Sequence, residues 1–134
     1  LTIMSPFVKV ISNEGETFEV DIKAIKMSQT VKTMFEALCV DENRNDLEPI
    51  PFPLVDSATL KKIIAYCEHH KNDAGPNFQR KGCISDWDFD FLANDPRMLI
   101  NIIMAADYLE IKSLRKIARI FVQHQITGKP LKRI

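Results

Sequence analysis

The sequence predicts an α+β domain: a small three-stranded sheet with helices packed on it, closed by a C-terminal helix. Three observations carry this reading. Two short β-prone runs flank a glycine-containing turn near the start of the chain. Apolar residues then recur at helical spacing through most of the remaining chain. Between them, Pro49-Ile-Pro-Phe-Pro53 alternates proline with apolar residues, so any strand there must be short or at a sheet edge. At 134 residues and 46% hydrophobic, the chain has material for one core. No apolar run approaches the ~18 residues of a membrane span.

Phe7–Ile11 and Thr17–Val20 read as the arms of a hairpin around Ser12-Asn-Glu-Gly-Glu16, with Gly15 where the backbone must be permissive. Asp21 is placed to cap a short turn through Ile25. Ser28 caps a helix carrying Val31, Met34, Phe35 and Leu38 on one face. A charged loop follows over 41–48. Asp56 and Ser57 open a helix with Leu60, Ile63, Ile64 and Cys67 inward, closed at His69 to Asp73. Gly75, Pro76 and Gly82 make 72–82 a flexible loop. Ser85 to Leu92 begins a helix with acids in its first turn, where the helix dipole favours them. Pro96 starts another, since its missing N–H costs nothing there. That helix is read through Lys112, with Leu99, Ile102, Ile103 and Ala106 on one face. Ile100, Met104 and Ile111 fall on a second, with Asp107 and Tyr108 between. A helix apolar on nearly all sides is buried twice, by its own domain or by another protein. The final helix carries Leu114, Ile117, Ala118, Phe121 and Val122 inward, and Gly128 and Pro130 end it.

The formal net charge is zero but unevenly spread. Seven Lys or Arg residues and no acid follow Ile111, leaving 11 basic against 18 acidic side chains before it. Without an aromatic or glycine-rich nucleic-acid motif, the basic stretch reads as the wet side of an amphipathic helix. Cys39, Cys67 and Cys83 are odd in number and far apart, which argues against a disulfide framework or a zinc site and for buried reduced thiols. Adjacent His69 and His70 point about 100° apart on a helix and cannot share a metal unaided. Asp86, Asp88 and Asp90 alternate with Trp87, Phe89 and Phe91 but lack the glycine and final Glu of a calcium loop. The acids are expected to face the dipole and the aromatics the core. No phosphate-binding loop or nucleophile elbow occurs. No catalytic, cofactor or metal site is expected.

Ala105-Ala-Asp-Tyr-Leu-Glu-Ile-Lys112 resembles the A-A-N-Y-L-D-I-K signature of the Skp family, the adaptor subunits of SCF ubiquitin ligases. Gly15-Glu-Thr-Phe-Glu-Val20, Ser28-Gln-Thr-Val-Lys-Thr-Met34, Leu60-Lys-Lys-Ile-Ile64, Tyr66-Cys-Glu-His-His-Lys71, Trp87-Asp88 and Phe91-Leu92 are similar to further family motifs in the same order. The resemblance implies a BTB/POZ-like domain over 1–111 and a helical extension over 112–134. It also implies a non-enzymatic adaptor, cytoplasmic and nuclear, that bridges the N-terminal helices of a cullin to F-box proteins. Asp107 and Tyr108 are then the cullin contacts, the family's Asn having become an acid. Leu99, Ile100, Met104, Leu114, Arg115 and Ile120 are the F-box contacts. Ile111-Lys-Ser-Leu-Arg-Lys116 departs from the family's I-K-G-L-L-D. The two helices that clasp the F-box in the family do not follow Lys129, so the extension reads as truncated, and a chain without Met at position 1 reads as trimmed. Weakened F-box binding and homodimers through the exposed apolar face are the corresponding expectations. The alternative is a self-associating BTB-type protein with no ligase role.

Overall fold

The computed structural model of the chain describes residues 6–38, 47–71, 83–93, 95–127 and 132–133. Strands β1 (Phe7–Ile11) and β2 (Thr17–Asp21) form the expected antiparallel hairpin, with Val8 opposite Val20 and Val10 opposite Phe18. Val8, Val10 and Val20 are buried while Lys9 and Glu19 are exposed, the period of two that one buried sheet face imposes. Gly15 takes the positive φ of the turn, at +83°. Strand β3 (Ile50–Pro51) runs parallel to β1 on its other side, giving the order β2-β1-β3. Pro51 therefore sits on an edge, as its missing donor requires.

Helices begin where side-chain oxygens can take up their free amides. Asp21 accepts from Lys23 N at the start of α1 (Ile22–Ile25), and Ser28 from Val31 N at α2 (Gln29–Ala37). Asp56 accepts from Thr59 N at α3 (Ser57–His70), and Ser85 from Asp88 N at α4 (Asp86–Leu92). Asp95, with Pro96 in the first turn, caps α5 (Pro96–Leu109). The last helix, α6, spans Lys112–Thr127. One hydrophobic cluster joins the inward faces of these elements, from Val8 on β1 to Phe121 on α6.

Four local expectations are corrected. Leu38 lies one residue past the end of α2 and is 69% exposed, because the helix stops before its turn can carry it inward. The helix expected through Lys112 breaks at Glu110, which adopts a left-handed conformation (φ 53°, ψ 54°). Ile111 N then reaches back to Ala106 O and Glu110 N to Asp107 O, the paired bonds of a Schellman termination. Ile111 is consequently sealed in the core instead of lying on an outer face. Asp88 turns inward and is fully buried, while its neighbour Trp87 is only half-buried. Finally, β4 (Cys83–Ile84) and β5 (Lys132–Arg133) pair in parallel as a second, two-stranded sheet that the sequence did not announce. The loops expected at 41–48 and 72–82 lie largely or wholly outside the described residues, as do Cys39, Gly128 and Pro130.

Candidate protein-binding site

The stretch from Pro96 to Leu109 forms a helix with two unlike faces. Ile102, Ala105, Ala106 and Leu109 are buried against the domain. Ile100, Met104 and Tyr108, spaced i, i+4, i+8, line up on the opposite side and are 55%, 63% and 38% exposed. Asp107 stands beside them, its Oδ1 3.3 Å from Arg115 Nη1 on α6. Both partners of that ion pair are exposed, so it orients side chains more than it stabilises the fold.

The C-terminal end of this helix is fixed by α2. Ser28 Oγ donates to Leu109 O, Gln29 N donates to Glu110 O at 3.1 Å, and Thr30 Oγ1 donates to Tyr108 O at 3.3 Å. Tyr108 thus projects from a backbone held by α2 at its own carbonyl and at the two that follow. A rigid anchor loses little entropy on binding.

Met104 separates two grooves. One, of about 380 Å³, runs between α5 and α6, with Ile103, Ala118 and Val122 as its floor and Asp107, Arg115 and Arg119 on its rim. The other, of about 210 Å³, lies between α5 and the start of α3, with Leu54, Asn101 and Tyr108 among its walls. Leu54 is 74% exposed beside Tyr108's groove, and reading the sequence did not find it. Its only signal was a large apolar residue continuing the proline–apolar alternation beyond Pro53.

Not every expected contact residue lies on a surface. Leu114 is fully buried, which corrects its expected place on a partner face: it shares one stripe with Ile117, Ala118 and Phe121, and that stripe faces the core. Leu99 and Ile120 are half-buried and pack against the core cluster. The structure brings Ile100, Met104, Asp107, Tyr108 and Arg115 together.

The side chains with possible chemistry have structural partners instead. His70 Nε2 and Asp88 Oδ1 are 2.7 Å apart in the interior. His69 stacks on Trp87 with ring centroids 3.8 Å apart and planes 2° from parallel. Burial, with a smaller contribution from the Glu68 charge, pushes the Cys67 thiol up to about 12. It stays protonated at neutral pH and is no nucleophile. Among the described residues no group of three His, Cys, Asp or Glu side chains could hold a metal ion, and no helix is long and apolar enough to cross a membrane.

A three-stranded sheet under helices, with an exposed apolar ridge on a firmly held helix, makes an α+β domain that offers a surface suited to a protein partner. The chain belongs to the Skp1 family: residues 6–72 match the family described as "Skp1 family, tetramerisation domain". Three relatives agree. The "Skp1-related protein" of Caenorhabditis elegans is 35% identical over 129 residues, covering 91% of this chain and 73% of the relative. The "Suppressor of kinetochore protein 1" of Schizosaccharomyces pombe is 35% identical over 130 residues, covering 91% and 78%. The "E3 ubiquitin ligase complex SCF subunit sconC" of Talaromyces marneffei is 36% identical over 132 residues, covering 94% and 79%.

Proposed function

We propose that this chain is a non-catalytic adaptor of an SCF-type cullin-RING ubiquitin ligase, holding a cullin on one face and an F-box substrate receptor on another, in cytoplasm and nucleus. The observation that carries this is the exposed Ile100–Met104–Tyr108 ridge on a helix whose opposite face is sealed in a Skp1-family domain. One of its relatives is named as an SCF subunit. The mechanism is positioning. Two binding faces on one rigid body raise the effective concentration of a held substrate near a ubiquitin-charged enzyme, with no bond made or broken by the adaptor itself.

In this reading Tyr108 is the cullin anchor, since a half-exposed aromatic on fixed backbone is the usual form of an interface hot spot. Asp107 can only accept hydrogen bonds, whereas the family's Asn both donates and accepts. Its pairing with Arg115 orients the acid along the groove. The α5–α6 groove, with Met104 at its edge, takes apolar side chains of the receptor. Lys116 and Arg119, both exposed, bias receptor choice toward acidic rims, because rim charges act through association rate and rejection of like charge.

The test is titration of the full chain against a recombinant cullin N-terminal domain, an F-box receptor, and both together. A ternary complex in sedimentation, with each pair formed independently, is the expected result. Absence of cullin binding overturns the reading. A second reading, self-association through the same ridge, is favoured by the family's description as a tetramerisation domain. Light scattering that gives a single-chain mass at high concentration excludes it.

A further inference from the structure

Helix α6 carries Lys112, Arg115, Lys116 and Arg119 and no acid. Arg115 is compensated from across the groove, its Nη1 lying 3.3 Å from Asp107 Oδ1 on α5. Arg119, about one turn further along, is exposed and makes no side-chain hydrogen bond or ion pair among the described residues. Arg115 and Arg119 both line the groove of about 380 Å³ between α5 and α6, whereas Lys112 and Lys116 do not. The rim therefore holds two guanidiniums and one carboxylate, and the positive charge left over is that of Arg119.

Beneath that rim the floor is apolar, made by Ile103, Ala118 and Val122. Arg115, Ala118, Arg119 and Val122 share one face of α6 through their i, i+3, i+4, i+7 spacing, so the uncompensated cation stands about one turn from Val122. An occupant that brought only apolar surface to the groove would cover Arg119 without a counter-charge, and taking an unpaired cation out of water is costly. An occupant with a cation at that place is repelled. One that carries a carboxylate about one turn from its apolar anchor satisfies both the floor and the rim. The single charge left over matches one carboxylate better than a phosphate, which carries nearly two.

We infer that Arg119 is a specificity-determining residue of the α5–α6 groove: it pairs with one Asp or Glu of a receptor helix lying there, about one helical turn from the apolar side chain seated on Ile103, Ala118 and Val122. This rests on the groove being the receptor site of the proposed adaptor. It goes beyond a basic rim, because one of the four cations on α6 is assigned the contact. Arg115 is already paired with Asp107, and the exposed Lys112 and Lys116 contribute only to the general field.

The experiment titrates the full wild-type chain, Arg119→Gln and Lys116→Gln with a recombinant F-box domain. Each titration is repeated with the Asp and Glu residues of that domain changed one at a time to amides. Arg119→Gln should weaken binding about fivefold, the upper end for a surface ion pair, with the melting temperature of the free chain unchanged. Lys116→Gln removes the same charge from the same helix outside the groove, and should weaken binding by less than about twofold because salt screens it. At one acid of the F-box domain the amide should cost the wild-type chain as much as Arg119→Gln does and cost Arg119→Gln nothing further, the signature of a direct pair. Unchanged affinity of Arg119→Gln, or equal losses for Arg119→Gln and Lys116→Gln, overturns the inference and leaves the adaptor reading standing. Failure of the wild-type chain to bind the F-box domain overturns the receptor half of that reading and the inference together. A dimer of the free chain that Arg119→Gln dissolves makes a second copy the occupant, and this too overturns the inference.

Discussion

In the corner between α3 and α4, polar groups are buried with their partners in place. On the outer face of α5, apolar groups are exposed and a nearby hydroxyl is buried without one. Asp88 and His70 are 0% and 6% exposed and bonded to each other, with Tyr66, Trp87 and Phe91 packed around them. Tyr66, also fully buried, donates its hydroxyl to Ser113 Oγ at 2.8 Å and so ties this corner to α6. Ile100 and Met104 meet solvent, and Thr59 Oγ1 has no partner among the described residues. The contrast teaches where a small domain spends its polar satisfaction. The corner is complete within the chain and serves stability. The ridge is incomplete and is suited to completion by another molecule.

The comparison is broken most sharply at Cys67, which lies inside the completed region. With its thiol pushed from 9.0 to about 12, alkylation at pH 8 should be roughly a thousandfold slower in the folded chain than in the unfolded one, each pKa unit being about tenfold in thiolate. Peptide-resolved labelling at Cys67 with and without denaturant measures the ratio. The same shift carries a sign for stability. The folded state holds the proton longer, so this contribution is full below about pH 9 and is lost as pH rises through about 12. Cys67→Ala should flatten that alkaline slope in denaturant titrations.

Asp88→Ala tests the corner itself. It leaves the His70 ring buried without its carboxylate partner and should cost about 3–5 kcal/mol in urea unfolding, as removal of one member of a buried pair does. A loss below 1 kcal/mol would mean that the pair contributes little to the corner.

Tyr108→Ala tests the ridge and should behave in the opposite way. Affinity for a cullin N-terminal domain is expected to fall by about 2 kcal/mol, or some thirtyfold, while the unfolding midpoint hardly moves. A large change in stability with unchanged affinity would assign Tyr108 to the fold.

The smallest effect belongs to the joint between the regions. Glu110 holds a left-handed conformation that costs a non-glycine residue about 1–2 kcal/mol. Glu110→Gly removes that cost, offset in part by the greater backbone entropy glycine loses on folding and by the 3.5 Å contact with Thr30 Oγ1. A net gain of about 0.5–1 kcal/mol, read as a melting point a few degrees higher, is the expected outcome.

Much of this molecule is legible in its residues alone. The N-caps Asp21 and Ser28 stand where the sequence put them, and the helices expected to open at Asp56 and Ser85 do so, since a cap acts on amides two or three residues away. The inward stripes held in most positions: Leu60, Ile63 and Cys67 are buried and Ile64 only half-buried, and Leu114, Ile117, Ala118 and Phe121 are buried while Val122 is half-buried and lines the α5–α6 groove. Assigning Leu114 to a partner face as well asked one side chain to point two ways. The alternation of Asp and aromatic residues in α4 misled because a period of two cannot persist on a helix, so one of its acids had to turn inward.

Local chemistry therefore determined the caps, the hairpin, the apolar stripes and, through several motifs in order, the family. Each of those signals is complete within one turn of helix or one hairpin. Tertiary structure alone decided which face of α5 stays open, that Asp88 meets His70 eighteen residues back, that β4 pairs with β5, and that the Thr59 hydroxyl has no partner among the described residues. These depend on where distant segments of the chain come to lie. The bond from Asn13 N to Val55 O at 2.8 Å joins segments far apart in the sequence, and no spacing rule within α3 contains it.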